Sequence, residues 1–142
     1  MESPFSVRVQ ARAYELDRQG HVNQAVYMQY AEHARWRFLH EAGLTPDVLS
    51  AAGIGPALLK ATVRFQRELR AGDEVDVGCA ISGGRGRLIE IMQRLHTPGG
   101  IPIARIECVV GLLDLSTRRL LPDPRATLRE LAKRPDVLGL DT

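Results

Sequence analysis

The residues with the clearest reactive potential fall in one short stretch, YELDRQGHVNQAVY, which runs from Tyr14 to Tyr27. Asp17 is a carboxylate in a polar loop, ELDRQGHVN, that shows no apolar periodicity. Helical spacing begins directly after that loop. A carboxylate placed just before a helix can activate water or attack a carbonyl carbon. The first turn of the helix offers unpaired backbone N–H groups and the positive end of the helix dipole, suited to an oxygen that becomes negative. Asp17 and the first turn after Asn23 are placed for this pairing. Gly20 permits a tight turn and a close approach of substrate to the backbone. For His21 two readings stay open: hydrogen bonding to a substrate carbonyl or to Asp17, and holding the loop together. Asn23 reads first as the helix N-cap and second as a group that positions water. Tyr27, about one turn inside the helix, reads as core, with a hydroxyl that could touch an acyl group.

The surrounding elements explain how this stretch would be held. Residues 5–14 alternate, with Val7, Val9, Ala11 and Ala13 on one side and Arg8, Gln10, Arg12 and Tyr14 on the other, which predicts a half-buried strand. Over residues 24–42, Val26, Tyr30, Ala34 and Phe38 recur every fourth position, widened by Tyr27, Ala31 and Ala42. That stripe predicts an amphipathic helix, capped by Asn23 and stopped by Gly43. LTPDVLSAAG predicts a short second helix with Thr45 as cap and Pro46 at its first position. Period-two runs follow: Leu59–Phe65, Val75–Ile81, Leu88–Leu95 and Ala104–Leu112. They are separated by turn signals such as GGRGR and TPGG. A last helix is expected over about Ala126 to Lys133. The order is strand, helix, then four strands. One long helix against strands with apolar faces predicts an α+β fold, an antiparallel five-stranded sheet wrapped around a central helix. Residues 1–142 read as a single domain.

Composition excludes several classes. With 19 basic and 17 acidic side chains and a formal net charge of +2, nucleic acid and anionic membranes are not expected partners. No apolar run approaches a membrane span. The start, MESPFSVRVQ, lacks the features of a signal peptide, and cytoplasmic residence is expected. Cys79 and Cys108 lie in apolar strand patterns and read as small buried hydrophobes. No GxGxxG, P-loop, CxxC or HExxH is present, so neither cofactor nor metal is expected.

Other chemistry-bearing residues have plainer readings. Glu15 reads as structural. Glu32 with Arg35, and His33 with Arg37, have the spacing of helix-surface pairs, although a second catalytic carboxylate at Glu32 is the alternative. Thr62 reads as an exposed strand residue or one close to the reactive loop. Arg85 and Arg87, or Arg118 and Arg119, read as solvated charge before they read as a phosphate site.

Asp17, Gly20 and Tyr27 resemble the signature of the 4-hydroxybenzoyl-CoA thioesterase branch of hotdog-fold proteins: an aspartate, a glycine three residues on, a turn into the central helix and a tyrosine ten residues on. The run Gly20-His21-Val22-Asn23 is also similar to acyl-CoA thioesterases and to plant acyl-lipid thioesterases with GVVNNAVY, except that Gln24 replaces the second Asn. LKATVRFQRELRAGDEVDV resembles the branch's second strand, Gly-Asp turn and third strand. The resemblance covers roughly residues 5–122 and implies hydrolysis of an acyl-CoA thioester. In that reading Asp17 is nucleophile or general base, the Gln24 N–H is part of the oxyanion site, and Gly20, Tyr27 and Thr62 lie near the substrate. It further implies homodimers or homotetramers with active sites at the interface. Coenzyme A or phosphopantetheine would enter only as part of the substrate. Three alternatives remain: an acyl-carrier-protein thioesterase, a hotdog dehydratase or hydratase using His21 and Glu32, and a non-catalytic acyl-binding domain.

Overall fold

The computed structural model describes residues 5–140; the first four residues, at the start of the N-terminal stretch read above, and the last two lie outside the described residues. Strand β1 (Ser6–Gln10) alternates exposed and half-buried residues. It stops earlier than the alternation predicts. The Arg12 N–H donates to Glu15 Oε1 at 2.8 Å, and Ala13–Glu15 wind into a 3-10 turn. Alanines at alternate positions bury too little apolar area to keep this segment in a sheet, and Ala13 and Tyr14 are exposed.

Helix α1 (Gln24–Glu41) buries Val26, Tyr27, Tyr30, Ala31, Ala34 and Phe38, the predicted stripe. Asn23 Oδ1 accepts the Ala25 N–H at 2.9 Å and satisfies one of the open donors of the first turn. The helix ends before Gly43, which adopts φ 88°, a left-handed conformation that glycine reaches without steric cost. Thr45 caps helix α2 (Pro46–Ala51) through the Val48 N–H. Ala31 and Ala34 are fully enclosed where helix meets sheet. A larger side chain there would cost about 1–3 kcal/mol by overpacking.

The remaining strands are β2 (Ile54–Phe65), β3 (Glu74–Gly78), β4 (Ala80–Gly83), β5 (Ile89–His96) and β6 (Pro102–Asp114). They pair antiparallel in the order β1-β3-β5-β6-β2, with β4 also on β5. The third expected strand is therefore two segments. Val77 pairs with Leu95 and Ala80 with Met92, so the register on β5 continues across the interruption at Cys79. The break lets one strand serve both core clusters: Val75 and Val77 lie in the first, with the N-terminal half of α1, and Cys79 in the second, with Phe38 and Leu112. Helix α3 (Pro124–Leu131), capped by Asp123, adds Leu128 to the second cluster.

Strand β2 is one edge of the sheet, with β1 at the other end of the order. Only Ile54 of its twelve residues is buried, and Leu58, Leu59 and Phe65 are about half exposed. A bulge at Leu59 separates Leu58, which pairs with Val110, from Lys60, which pairs with Val109. At the helix–sheet contact, the enclosed Gln93 donates from Nε2 to Ala31 O at 2.8 Å and accepts from Arg35 at 3.0 Å. No helix among the described residues is long and apolar enough to cross a membrane.

Candidate active site

The loop before α1 is closed on itself. The Asp17 N–H donates to His21 O at 2.7 Å and the Gly20 N–H to Asp17 O at 3.1 Å, while Leu16 and Val22 form an isolated antiparallel bridge. Gly20 sits at φ 82°, and a Cβ built on it meets nothing within 4 Å, so the turn requires the glycine for its backbone conformation rather than for space. Asp17 Oδ1 accepts the Gln19 N–H at 2.8 Å and the His21 N–H at 3.3 Å. One carboxylate oxygen thus holds the turn. The other, Oδ2, accepts no hydrogen bond among the described residues, and the side chain is exposed.

Two neighbours hold this loop against the rest of the molecule. The Asn23 N–H donates to Glu15 O and the Val22 N–H to Leu69 O, both at 2.8 Å. Leu69 is buried beside α1, in the segment that follows β2. The end of β2 and this segment form the second wall of an open cleft of about 530 Å³. Asp17, His21, Asn23, Gln24 and Tyr27 line one side, and Phe65, Gln66, Arg67 and Glu68 the other. Gln24 is the first residue of α1, and its N–H has no protein acceptor among the described residues. Asp17 and Gln24, the residue whose N–H is open, therefore border the same space.

His21 Nε2 pairs with Glu68 Oε2, and Glu68 Oε1 accepts from Arg70 at 3.0 Å. His21 is thus fixed by a carboxylate 47 positions away. Tyr27 is buried, with its ring edge-on to Phe65 at 5.1 Å and its hydroxyl donating to Arg67 O at 3.3 Å. Burial pushes the Tyr27 hydroxyl pKa up, partly opposed by a hydrogen bond from the Leu69 backbone, and the charges of Glu68 and Asp17 add to the rise. The phenol is held neutral and serves as a donor.

Five of the sequence-derived residues, Asp17, His21, Asn23, Gln24 and Tyr27, come together at the cleft. Gly20 shapes the loop without lining the cleft, and Thr62 stands apart on the exposed edge strand opposite Glu107. Glu68, Arg67 and Gln66 carried no local signal, since only tertiary contact brings their segment to the loop. Glu15 accepts from the Tyr30 hydroxyl and from Arg12, the structural role expected of it. The expected surface pairs on α1 do not form among the described residues: Arg35 turns inward to Gln93, and neither Glu32 nor His33 makes an ion pair. Glu32 instead borders a second, smaller cavity of about 150 Å³, walled by Phe38, Leu58, Ile91 and Val110. Arg85, Arg87, Arg118 and Arg119 are exposed, and none lines the cleft. Cys79 and Cys108 are both buried and free, and burial pushes both thiols up, away from the nucleophilic thiolate.

An antiparallel sheet wrapped on one central helix, with a carboxylate loop at the helix N-terminus, is the hotdog architecture. The chain belongs to the Thioesterase-like superfamily, whose model matches residues 11–135. The chloroplastic acyl-acyl carrier protein thioesterase ATL3 of Arabidopsis thaliana is 40% identical over 83 residues, covering 58% of this chain and 44% of that protein. The chain thus spans less than half of that relative's length. The probable thioesterase YbaW of Escherichia coli superposes with a TM-score of 0.80 at 23% identity, over 89% of this chain and 95% of that one. The 1,4-dihydroxy-2-naphthoyl-CoA thioesterase Slr0204 of Synechocystis gives a TM-score of 0.78 at 18% identity, over 89% and 94% respectively. At these identities the solved structures speak to the fold.

Proposed function

We propose that the protein hydrolyses an acyl thioester to a free acid and a thiol, with Asp17 as the reactive carboxylate. The observation that carries this reading is the cleft shared by Asp17 and Gln24, whose N–H is unengaged. Hydrolysis needs a group that activates water or attacks the carbonyl carbon, and a donor for the oxygen that becomes negative. Asp17 Oδ2 has its lone pairs open for the first task. The Gln24 N–H, at the positive end of α1, suits the second. His21, steadied by Glu68, is a donor or acceptor at the cleft wall, and Asn23 keeps the helix start in place. Gly20 holds the loop conformation that presents Asp17. Two routes are chemically complete: Asp17 attacks and forms a mixed anhydride that water opens, or Asp17 takes a proton from water that attacks directly.

The carrier of the acyl group is the second part of the proposal. Coenzyme A is the first expectation from the sequence motif. The identity shared with a protein named as an acyl-acyl carrier protein thioesterase favours a carrier protein.

The active unit is proposed to be a homodimer paired through the open edge of β2, with tetramers formed from such dimers. Half-exposed Leu58, Leu59 and Phe65 on an unpaired edge suit that role. In an antiparallel pairing centred on Ala61 and Thr62, the Phe65 end of one strand lies beside the Leu58 end of the other. The cleft holding Asp17 would then meet the partner's apolar cavity, which suits an acyl tail, and Thr62 would lie in the interface. Residence in a reducing compartment such as the cytoplasm accords with two unpaired cysteines.

A thiol-release screen over short, long and aromatic acyl groups, each offered on coenzyme A and on a carrier protein, tests the reading. Release from at least one form is expected. Silence across the panel, with acyl thioesters still bound, would instead make the protein an acyl-binding domain. Water addition to an enoyl thioester without thiol release would make it a hydratase.

A further inference from the structure

Three arginines lie in one row across three adjacent strands. Arg64 of β2 is directly opposite Arg105 of β6, and Arg105 is directly opposite Arg94 of β5. All three are exposed, while their chain neighbours Gln93, Leu95, Ala104 and Ile106 are buried. The guanidinium groups therefore share the face of the sheet turned away from α1. Like charges directly opposite one another destabilise a sheet. The compensation present is small: Arg105 pairs with Glu107 at 3.2 Å, and Arg64 and Arg94 make no ion pair among the described residues. Towards the other edge of the sheet a cross-strand cation is matched, where Arg8 meets Asp76 at 2.8 Å across β1 and β3. In the row, like charges face one another instead.

Position and shape narrow what such a strip could meet. Arg64 immediately precedes Phe65, which lines the cleft of Asp17. A partner seated on the strip lies at the strand end that opens onto that cleft. The strip is an exposed stretch about two inter-strand spacings, roughly 10 Å, across, and at its β5 end Arg94 borders an open hollow beside β4. Small-molecule sites bury most of their ligand, so three exposed cations spread across three strands suit the surface of a macromolecule. A second copy seated face to face would set arginines against arginines.

We propose that Arg64, Arg105 and Arg94 form the docking strip for an acidic carrier protein, which presents its acyl thioester to the cleft on a flexible arm. The inference rests on the thioesterase reading and adds the partner and its place of contact. Carboxylates on the carrier neutralise the repulsion within the row. Docking is electrostatic, so it governs capture of the acyl carrier rather than the chemical step.

The test compares one acyl group on an acyl carrier protein and on coenzyme A. The enzymes are the wild type, the double variant Arg64→Ala/Arg94→Ala and the reversal Arg94→Glu. On the carrier form, kcat/KM is expected to fall about tenfold or more through KM, and its salt dependence to flatten. On coenzyme A it should change less than about twofold, because docking is bypassed. Binding of a fluorescent carrier protein that holds the acyl group through an amide is read in parallel and needs no turnover. Thermal unfolding of the variants should occur at or above the wild-type temperature, since like-charge repulsion is relieved. Equal losses on both substrates, or unchanged carrier affinity in Arg94→Glu, would overturn the docking strip. If the wild type releases thiol from neither substrate, the hydrolase reading fails, and the amide-linked carrier still decides the docking question.

Discussion

The Tyr30 hydroxyl donates to Glu15 Oε1 at 2.6 Å, and the same carboxylate oxygen accepts the Arg12 N–H at 2.8 Å. This contact ties the second turn of α1 to the chain that leads into Asp17. Burial, and then the hydrogen bond to Glu15, push the Tyr30 hydroxyl pKa up, so the proton stays on the phenol. Tyr30→Phe removes the donor and leaves a half-buried carboxylate short of a partner. We expect a loss of about 1–2 kcal/mol, read from urea unfolding midpoints. An unchanged midpoint would show that the contact contributes nothing to holding the loop.

Asp17→Asn separates chemistry from architecture. The amide oxygen can still accept from Gln19 and His21, so loop and thermal stability should survive. Thiol release should drop by about a thousandfold or more. Turnover close to wild type in this variant would refute Asp17 as the reactive group. In single-turnover reactions in oxygen-18 water, label appearing in the Asp17 carboxylate marks nucleophilic attack, with water opening the anhydride at the Asp17 carbonyl carbon.

His21 and Glu68 should behave as one unit. We expect His21→Ala and Glu68→Gln each to lower kcat/KM by about tenfold, with the double variant no worse than the poorer single one. Fully additive losses would mean that Glu68 does not act through His21.

Asp76 supplies a pH test of the fold. The hydrogen bond from Arg8, and its charge, lower the Asp76 pKa despite some desolvation. A lowered folded-state value means the unfolded chain binds the proton more readily, so stability falls as pH drops. The contribution is full above the ordinary carboxylate range, about pH 4, and disappears as pH falls through the lowered folded value. Asp76→Asn should therefore unfold more easily than wild type at neutral pH, with the difference closing in acid. Parallel curves of urea midpoint against pH would contradict this.

Local periodicity made the helix legible. The stripe from Val26 to Phe38 fixes which face of α1 is buried, and Asn23 and Gly43 mark its ends within a residue. The cleft was legible on one side only. Asp17, His21, Asn23, Gln24 and Tyr27 are close in sequence, and a loop–helix junction brings such residues together by itself. The other wall, Phe65 to Glu68, arrives by a long-range pairing of β2 with β6 and leaves no spacing to read. The same holds for the arginine row, whose members are 30 and 11 positions apart along the chain and meet only through strand register. Alternation overextended β1, because Ala11 and Ala13 keep the period without supplying much apolar area. It also joined β3 and β4, since the interruption at Cys79 does not change register.

The bulge at Leu59 gives the open edge of β2 a particular shape. An edge strand of twelve residues with half-exposed leucines and a phenylalanine is a template for indiscriminate strand addition and aggregation. An extra residue in the strand bends it and increases its local twist, while Lys60 and Arg64 place charge along it. A flat, unrelated strand meets a kinked and cationic edge and fits badly. Removing Leu59 would leave Leu58 opposite Val110 and Lys60 opposite Val109 in one unbroken register. The sheet would survive that deletion, while the edge would lose its selectivity and become sticky.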